Sequence, residues 1–174
     1  VEDIIRTPSH LHFIEANTQE VTINHLMNDC ITPVFSKDNE LTINHAQFIG
    51  TIQDAANDFF RGETVDDAAI RVSHVVKGRI PEAVHKPANQ LLESDKTIYY
   101  ERAAFSIDVP SIWQDVNGNR LNLSIVGVRA YNLQNLYSKK VPELFKLAIG
   151  FKNQVCCNMS IFTDGYMDEL RVSN

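Results

Sequence analysis

The sequence lacks the signatures of secreted and membrane-spanning proteins. Only three of its 174 residues are cysteine, an odd number in apolar contexts, which argues against a disulfide framework and favours a reducing cytoplasm. No apolar run approaches the ~20 residues of a membrane helix, and the opening VEDIIRTPSH has no apolar core of a secretory signal. Because the chain starts at Val1 and stops abruptly after DELRVSN, we expect a piece of a longer protein.

Catalytic and cofactor motifs are also missing. There is no G-x-S-x-G, H-E-x-x-H or Walker-type loop, and Glu101 and Asp108 fall on opposite faces of one predicted strand. His10 and His12 have a spacing that metals use, but the sequence marks no third ligand. We therefore expect no cofactor and no metal, and enzymatic function is disfavoured without being excluded.

What is present is typical of one globular domain, because 44% of the residues are hydrophobic and 22% are charged. The net charge of −6 is unevenly distributed. Residues 1–70 contain three Lys/Arg against twelve Asp/Glu, whereas residues 71–152 contain twelve against seven. An acidic first part and a basic middle keep nucleic acid open as a partner.

The clearest predicted element is an amphipathic helix over 44–60. Asn44 and Gln47 match a capping box, apolar residues follow at helical spacing, and Gly62 lies just past the end. Shorter helices are predicted over 86–95 and, with an extended alternative around Val21, over 18–29.

Most of the remaining chain is predicted as strand, with Asn117-Gly118 as a hairpin turn. The predicted strands are 31–36, 69–76, 97–109, 120–131, 143–151 and 154–163. Hairpin-linked strands beside one good helix predict a single α+β domain over 1–174, with a mainly antiparallel sheet of five to six strands.

Two adjacent cysteines, Cys156 and Cys157, lie within the predicted strand 154–163. Alternate residues of a strand share a face, so the two thiols point to opposite sides of the sheet. This favours a structural role over a redox pair or a metal site. We expect Cys157 to be buried, Cys156 to be more accessible, and Cys30 to be largely buried.

Basic and aromatic residues recur in the middle of the chain, where they could grip phosphates and stack bases. Strict alternation turns Arg129 and Tyr131 towards the core, and only a bulge, for example at Gly127, would turn them outwards. The full set of candidate nucleic-acid or anion-binding residues is Arg71, Lys77, Arg79, Lys86, Tyr100, Arg102, Arg129 and Tyr131.

Two other functions stay open at this point. Glu101, Arg129 and Asn158 could line the pocket of an enzyme or small-ligand-binding protein, because they are polar residues on otherwise apolar strands. Alternatively, the acidic first 70 residues could form the contact region of a protein-interaction domain.

Long stretches of the sequence resemble an uncharacterised bacterial family that is carried by anaerobic gut bacteria, often on mobile elements. The stretches are CITPVFSKDNE, RVSHVVKGRIPEAVHKPANQLLESDKTIYYERAAF, NRLNLSIVGVRAYNLQNLYSKK and GFKNQVCCN. A fainter resemblance links Cys157-Asn158 to phage- and plasmid-type proteins of unknown function. The resemblance implies no activity, cofactor or catalytic residue. It implies a cytoplasmic protein associated with mobile DNA, which favours handling of nucleic acid.

Overall fold

One six-stranded antiparallel sheet organises the protein. The computed structural model describes residues 17–31, 42–83, 85–131, 143–152 and 166–172. The strands lie in chain order across the sheet, so each pairs with its sequence neighbour. They are β1 Gln19–Val21, β2 Ala69–Arg79, β3 Lys96–Val116, β4 Asn119–Ala130, β5 Glu143–Lys152 and β6 Tyr166–Val172. The mainly antiparallel sheet predicted from the sequence is confirmed.

Within the described ranges, two α-helices accompany the sheet: α1 spans Ile23–Asn28 and α2 spans His45–Phe59. Asn44 accepts a hydrogen bond from the Gln47 amide while the Gln47 side chain accepts from the Asn44 amide, so the predicted capping box is present. Gly62, just beyond the helix, has a φ of 91°, which glycine adopts without strain.

The main core lies between α2 and one face of the sheet. Phe48 of α2 packs against Phe105 of β3 and Phe145 of β5, with ring centroids 5.3 and 4.7 Å away. Ile49 and Ile107, which are also fully buried, belong to the same cluster. Burying large apolar side chains of this kind contributes about 1.5–3 kcal/mol each.

β3 and β4 form a long hairpin. Asn117 and Gly118 have positive φ values of 54° and 80°, as the predicted tight turn requires. The pairing is regular from Arg102 to Val109, and the register then shifts between Val109 and Trp113. This irregularity separates a sheet-bound part of the hairpin from its tip.

Two details differ from the sequence-based expectations. Residues 86–95 form 3₁₀ turns at Ala88–Gln90 and Glu93–Asp95 in place of one helix, because Leu91 and Leu92 between them are extended. Tyr100 shares the main core with Ala103, so the strict alternation expected for β3 fails between them. In β2 opposite this point, His74 has a φ of 58°.

Several sequence-based expectations lie outside the described residues. They concern His10 and His12, nearly all of the strand 31–36, and the strand 154–163 with Cys156, Cys157 and Asn158.

Candidate functional site

The eight candidate anion-binding residues do not form one surface. Tyr100, Arg129 and Tyr131 are buried, with exposed fractions of 4%, 1% and 4%. Expecting them at a surface that meets nucleic acid was therefore wrong. The other five, Arg71, Lys77, Arg79, Lys86 and Arg102, are exposed or half-buried.

Gly127 explains why Arg129 and Tyr131 point inwards. It pairs with Phe105 in unbroken register, so no bulge occurs there. A Cβ atom at Gly127 would lie 2.2 Å from Cε1 of Phe105, which means that the glycine makes room for the aromatic ring. With regular pairing, alternation places Arg129 on the same face as the core.

Arg129 is the centre of a buried polar cluster beneath the start of α2. Its guanidinium donates to the Ile43 carbonyl and to the Glu143 carboxylate, and it lies 4.6 Å from the Tyr131 ring and 4.3 Å from the Phe145 ring. Burial lowers the pKa of Arg129, while Tyr131 and Glu143 raise it. The cluster fills the space around the guanidinium, so Arg129 does not line an open pocket with Glu101, and Asn158 lies outside the described residues.

His45, in the first turn of α2, belongs to the same cluster. Its Nε2–H donates to the Tyr100 carbonyl at 2.8 Å, and its ring stacks on Tyr131 with centroids 4.3 Å apart. Burial lowers the pKa of His45 to about 4, and the charge of Arg129 acts in the same direction. The imidazole is therefore neutral at pH 7 and joins α2 to β3.

A second polar cluster links β1 and α1 to β3, and the sequence analysis missed it. Gln19 donates to the Tyr100 hydroxyl at 2.7 Å. That hydroxyl lies 3.0 Å from Nε2 of His25, and Nδ1 of His25 lies 2.8 Å from an oxygen of Asp29. The donors and acceptors form one consistent chain when His25 carries its proton on Nδ1.

Cys30 is the remaining member of the second cluster. Its sulfur lies 3.8 Å from Nε2 of His25, an arrangement that could activate a nucleophile. However, burial and the charge of Asp29 raise the pKa of Cys30 to about 11. The group is a neutral thiol at pH 7, so the cluster joins structural elements and holds no activated thiolate.

The basic residues near the end of β2 and the start of β3 mostly form ion pairs or hydrogen bonds with neighbouring groups. Lys86 forms a salt bridge with buried Asp95 at 2.8 Å, and its hydrogen bonds to that carboxylate are the main cause of the lowered pKa of Asp95. Arg79 donates to the Lys86 carbonyl at 2.6 Å, and Lys96 pairs with Glu93.

An open groove of about 450 Å³ lies at this end of the sheet. Lys77 and Lys96 line it, but so do Asp29 and Glu93. The two charges of each sign cancel, so the groove does not favour an anionic ligand over a cationic one.

The outward face of the sheet, opposite α2, carries three of the basic residues. Register places Arg71, Ala104, Val128 and Lys146 in one row across β2 to β5, and Arg102 lies in the next row. The first row continues with Glu20 of β1 opposite Arg71 and Glu169 of β6 opposite Lys146. Arg102 and Lys146 are exposed, while Arg71 is half-buried and donates to the Thr18 hydroxyl at 2.8 Å. Neighbouring strands are about 4.8 Å apart, so the Cα atoms of Arg71 and Lys146 are roughly 14 Å apart.

The tip of the β3–β4 hairpin carries an exposed aromatic residue that the sequence analysis did not single out. Trp113 is 51% exposed, and the guanidinium carbon of Arg120 lies 4.7 Å from the centre of its ring. One sequence feature could have indicated an exposed aromatic residue here: a tryptophan that follows an apolar–polar alternation and lies close to the Asn-Gly turn.

In the described ranges, no group of three or more His, Cys, Asp or Glu side chains could hold a metal ion. None of the helices in the same ranges is both long and apolar enough to span a bilayer.

Comparison with known proteins places the chain in a family without assigning it an activity. No curated protein and no solved structure matches the sequence. A family described as "Domain of unknown function, B. Theta Gene description" matches residues 1–174. Because the match covers the whole sequence, the chain belongs to this family of unknown function, DUF3871.

Proposed function

We propose that this protein is a nucleic-acid-binding accessory module that uses the outward face of its sheet. The observation that carries the proposal is the separation of charge by layer. The six strands together contain ten Lys/Arg against seven Asp/Glu, whereas residues 45–68, which form α2 and the loop after it, contain one against five. A basic sheet backed by an acidic helix layer would orient the protein on a polyanion.

The side chains that would contact phosphate are Arg71, Arg102 and Lys146. All three project away from the core because their strand neighbours, for example Val72, Ala103 and Phe145, belong to it. Between these cations the row holds Ala104, which is 5% exposed, and Val128, which is half-buried and packs against it, so a ligand would contact the cations at the two ends of the row. Phosphate contacts of this kind give affinity without sequence preference.

The resemblance to a family carried on mobile elements supports the same proposal by association. It adds no mechanism, because a shared fold or genetic context does not define a site.

Binding of a labelled single strand and a labelled duplex at two salt concentrations tests the proposal. We expect a Kd below roughly 10⁻⁴ M that weakens as salt rises. Lys146→Gln and Arg102→Gln should each reduce the slope of log K against log salt concentration by about 1.

The matched control is Arg61→Gln, which removes an exposed cation from the acidic layer, where Arg61 pairs with Asp58. It should leave affinity and slope unchanged. Absence of salt-sensitive binding, or equal effects of Arg61→Gln and Lys146→Gln, would refute the proposed interface.

A further inference from the structure

The tip of the β3–β4 hairpin is an arm that is anchored at its base. In the described part of the chain, β5 pairs with β4 only as far as Asn122, so residues 113–121 project as a two-stranded ribbon. Isolated two-stranded ribbons are marginally stable. This one is fixed at its base, where the Thr64 amide donates to the Ser111 hydroxyl at 2.9 Å and the Asp66 amide donates to the Asp108 carbonyl at 2.8 Å.

The register shift at the base of the arm separates its side chains from the regular face of the sheet. Val109 pairs with Leu123, but the next paired residue of β3 is Trp113, opposite Asn122. Irregularities of this kind bend a strand and re-aim its side chains. Trp113 is consequently half-exposed, although Val109 is fully buried.

Arg120 holds one face of the Trp113 ring. The two residues are diagonal neighbours, since Trp113 pairs with Asn122 and Arg120 pairs with Asp115. The guanidinium of Arg120 is anchored by a 2.9 Å hydrogen bond to the Pro110 carbonyl while its carbon lies 4.7 Å from the ring centre. The indole is thus positioned by a cation on one side and keeps about half of its surface exposed.

We propose that Trp113 is a stacking platform for an unpaired base, so that the ligand of the protein is single-stranded nucleic acid. This inference rests on the proposed function, since the cations of the outward face would hold the backbone of the same strand. Aromatic side chains stack on bases of any sequence, and a neighbouring arginine strengthens the contact through its positive charge. In a duplex the faces of the bases are already stacked, so a duplex offers no such partner.

The spacing of the two features suits a short single strand. Arg102 pairs with Ala130 and Trp113 pairs with Asn122, so their partners on β4 are about 27 Å apart at ~3.4 Å per residue. At the ~3.4 Å per nucleotide of one strand in a duplex, this distance corresponds to about 8 nucleotides, which lies within the ~4–16 nucleotides that single-strand sites commonly cover.

Intrinsic fluorescence provides a direct test, because Trp113 is the sole tryptophan among the 174 residues. Titration with a 20-nucleotide oligothymidylate at low salt should quench the emission to a plateau. A duplex of the same length should quench it far less. Heparin, a polyanion without bases, should compete for the cations and leave the emission unchanged.

Variants separate stacking from folding. Trp113→Ala should weaken oligothymidylate binding by roughly 5- to 150-fold, the range expected for one stacked base. Trp113→Phe keeps an aromatic ring in the arm and should recover part of the lost affinity. If Trp113→Ala fails to fold, the quenching of the wild-type protein still decides the matter.

Two negative results have different meanings. Binding of oligothymidylate with unchanged emission, and with equal affinity in Trp113→Ala, would overturn the stacking site and leave the cationic face intact. Binding of the duplex without binding of the oligonucleotide would overturn the stacking site alone, and failure to bind either would overturn both proposals.

Discussion

The buried ion pair between Arg129 and Glu143 allows a stringent test of the packing between α2 and the sheet. Their side chains are 0% and 9% exposed. Replacing Glu143 by glutamine keeps the shape of the side chain and removes its charge. The guanidinium would keep the Ile43 carbonyl and the flanking rings but lose its counter-charge.

The expected cost follows from the burial of the pair. Removing one partner of a buried ion pair usually costs about 3–5 kcal/mol, because an uncompensated charge stays inside the protein. The amide oxygen that Glu143→Gln introduces could still accept one hydrogen bond, so we expect a value near the lower limit, about 3 kcal/mol. In a chain of this size that corresponds to a fall in Tm of roughly 6–12 °C.

Denaturant unfolding of Glu143→Gln measures this loss, and Glu93→Gln is the matched control. Glu93 pairs with Lys96, but the two side chains are 88% and 52% exposed, so the control should change the free energy of unfolding by less than about 0.5 kcal/mol. The double variant Arg129→Met with Glu143→Leu should lose less than Glu143→Gln alone, since it leaves no buried charge. Equal losses in Glu143→Gln and Glu93→Gln would refute the reasoning.

Four further predictions concern buried or half-buried groups and two glycines. Because burial lowers the pKa of His45 from 6.5 to about 4, the unfolded chain binds more protons between these values. Stability should therefore fall by about 2 kcal/mol from pH 7 to pH 5 in unfolding experiments, and His45→Asn should flatten that profile. Gly127→Ala should destabilise the protein by about 1–3 kcal/mol through its clash with Phe105. By contrast, Gly50→Ala should stabilise it by about 0.5–1 kcal/mol, since a Cβ atom at this helical position meets nothing within 4 Å. With a pKa of about 11, Cys30 should be alkylated at least about tenfold more slowly in the native than in the denatured protein, as mapped by mass spectrometry. Cys30 is half-buried, which is less than the sequence predicted, and equal rates would contradict its raised pKa.

Local sequence patterns predicted the elements whose stabilising interactions are also local. The capping box at Asn44 and the hairpin turn at Asn117-Gly118 depend on residues within a few positions of each other. The antiparallel sheet followed from hairpin-linked alternation. The prediction of one helix over 86–95 was wrong, because Leu91 and Leu92 take extended conformations. Tertiary contacts override helix propensity at such positions.

The polar clusters could not be predicted because their members are distant in sequence. Tyr100 and His25 are 75 positions apart, and Arg129 reaches Ile43 across 86 positions. Alternation correctly turned Arg129 inwards, but its charge suggested a surface position. A charged side chain can occupy this inward position because the Glu143 carboxylate compensates the buried charge.

The basic middle of the sequence therefore overstates the charge that the sheet presents to a ligand. Arg129 is neutralised inside the protein, Lys86 by Asp95 and Lys96 by Glu93. Arg71, Arg102 and Lys146 lie on the outward face because strand alternation buries their neighbours and projects them away from α2. An interface of so few phosphate contacts gives a shallow salt dependence, so it needs a second source of affinity that is independent of charge. Base stacking on the hairpin arm would provide that source, and the salt slope and the tryptophan emission measure the two contributions separately.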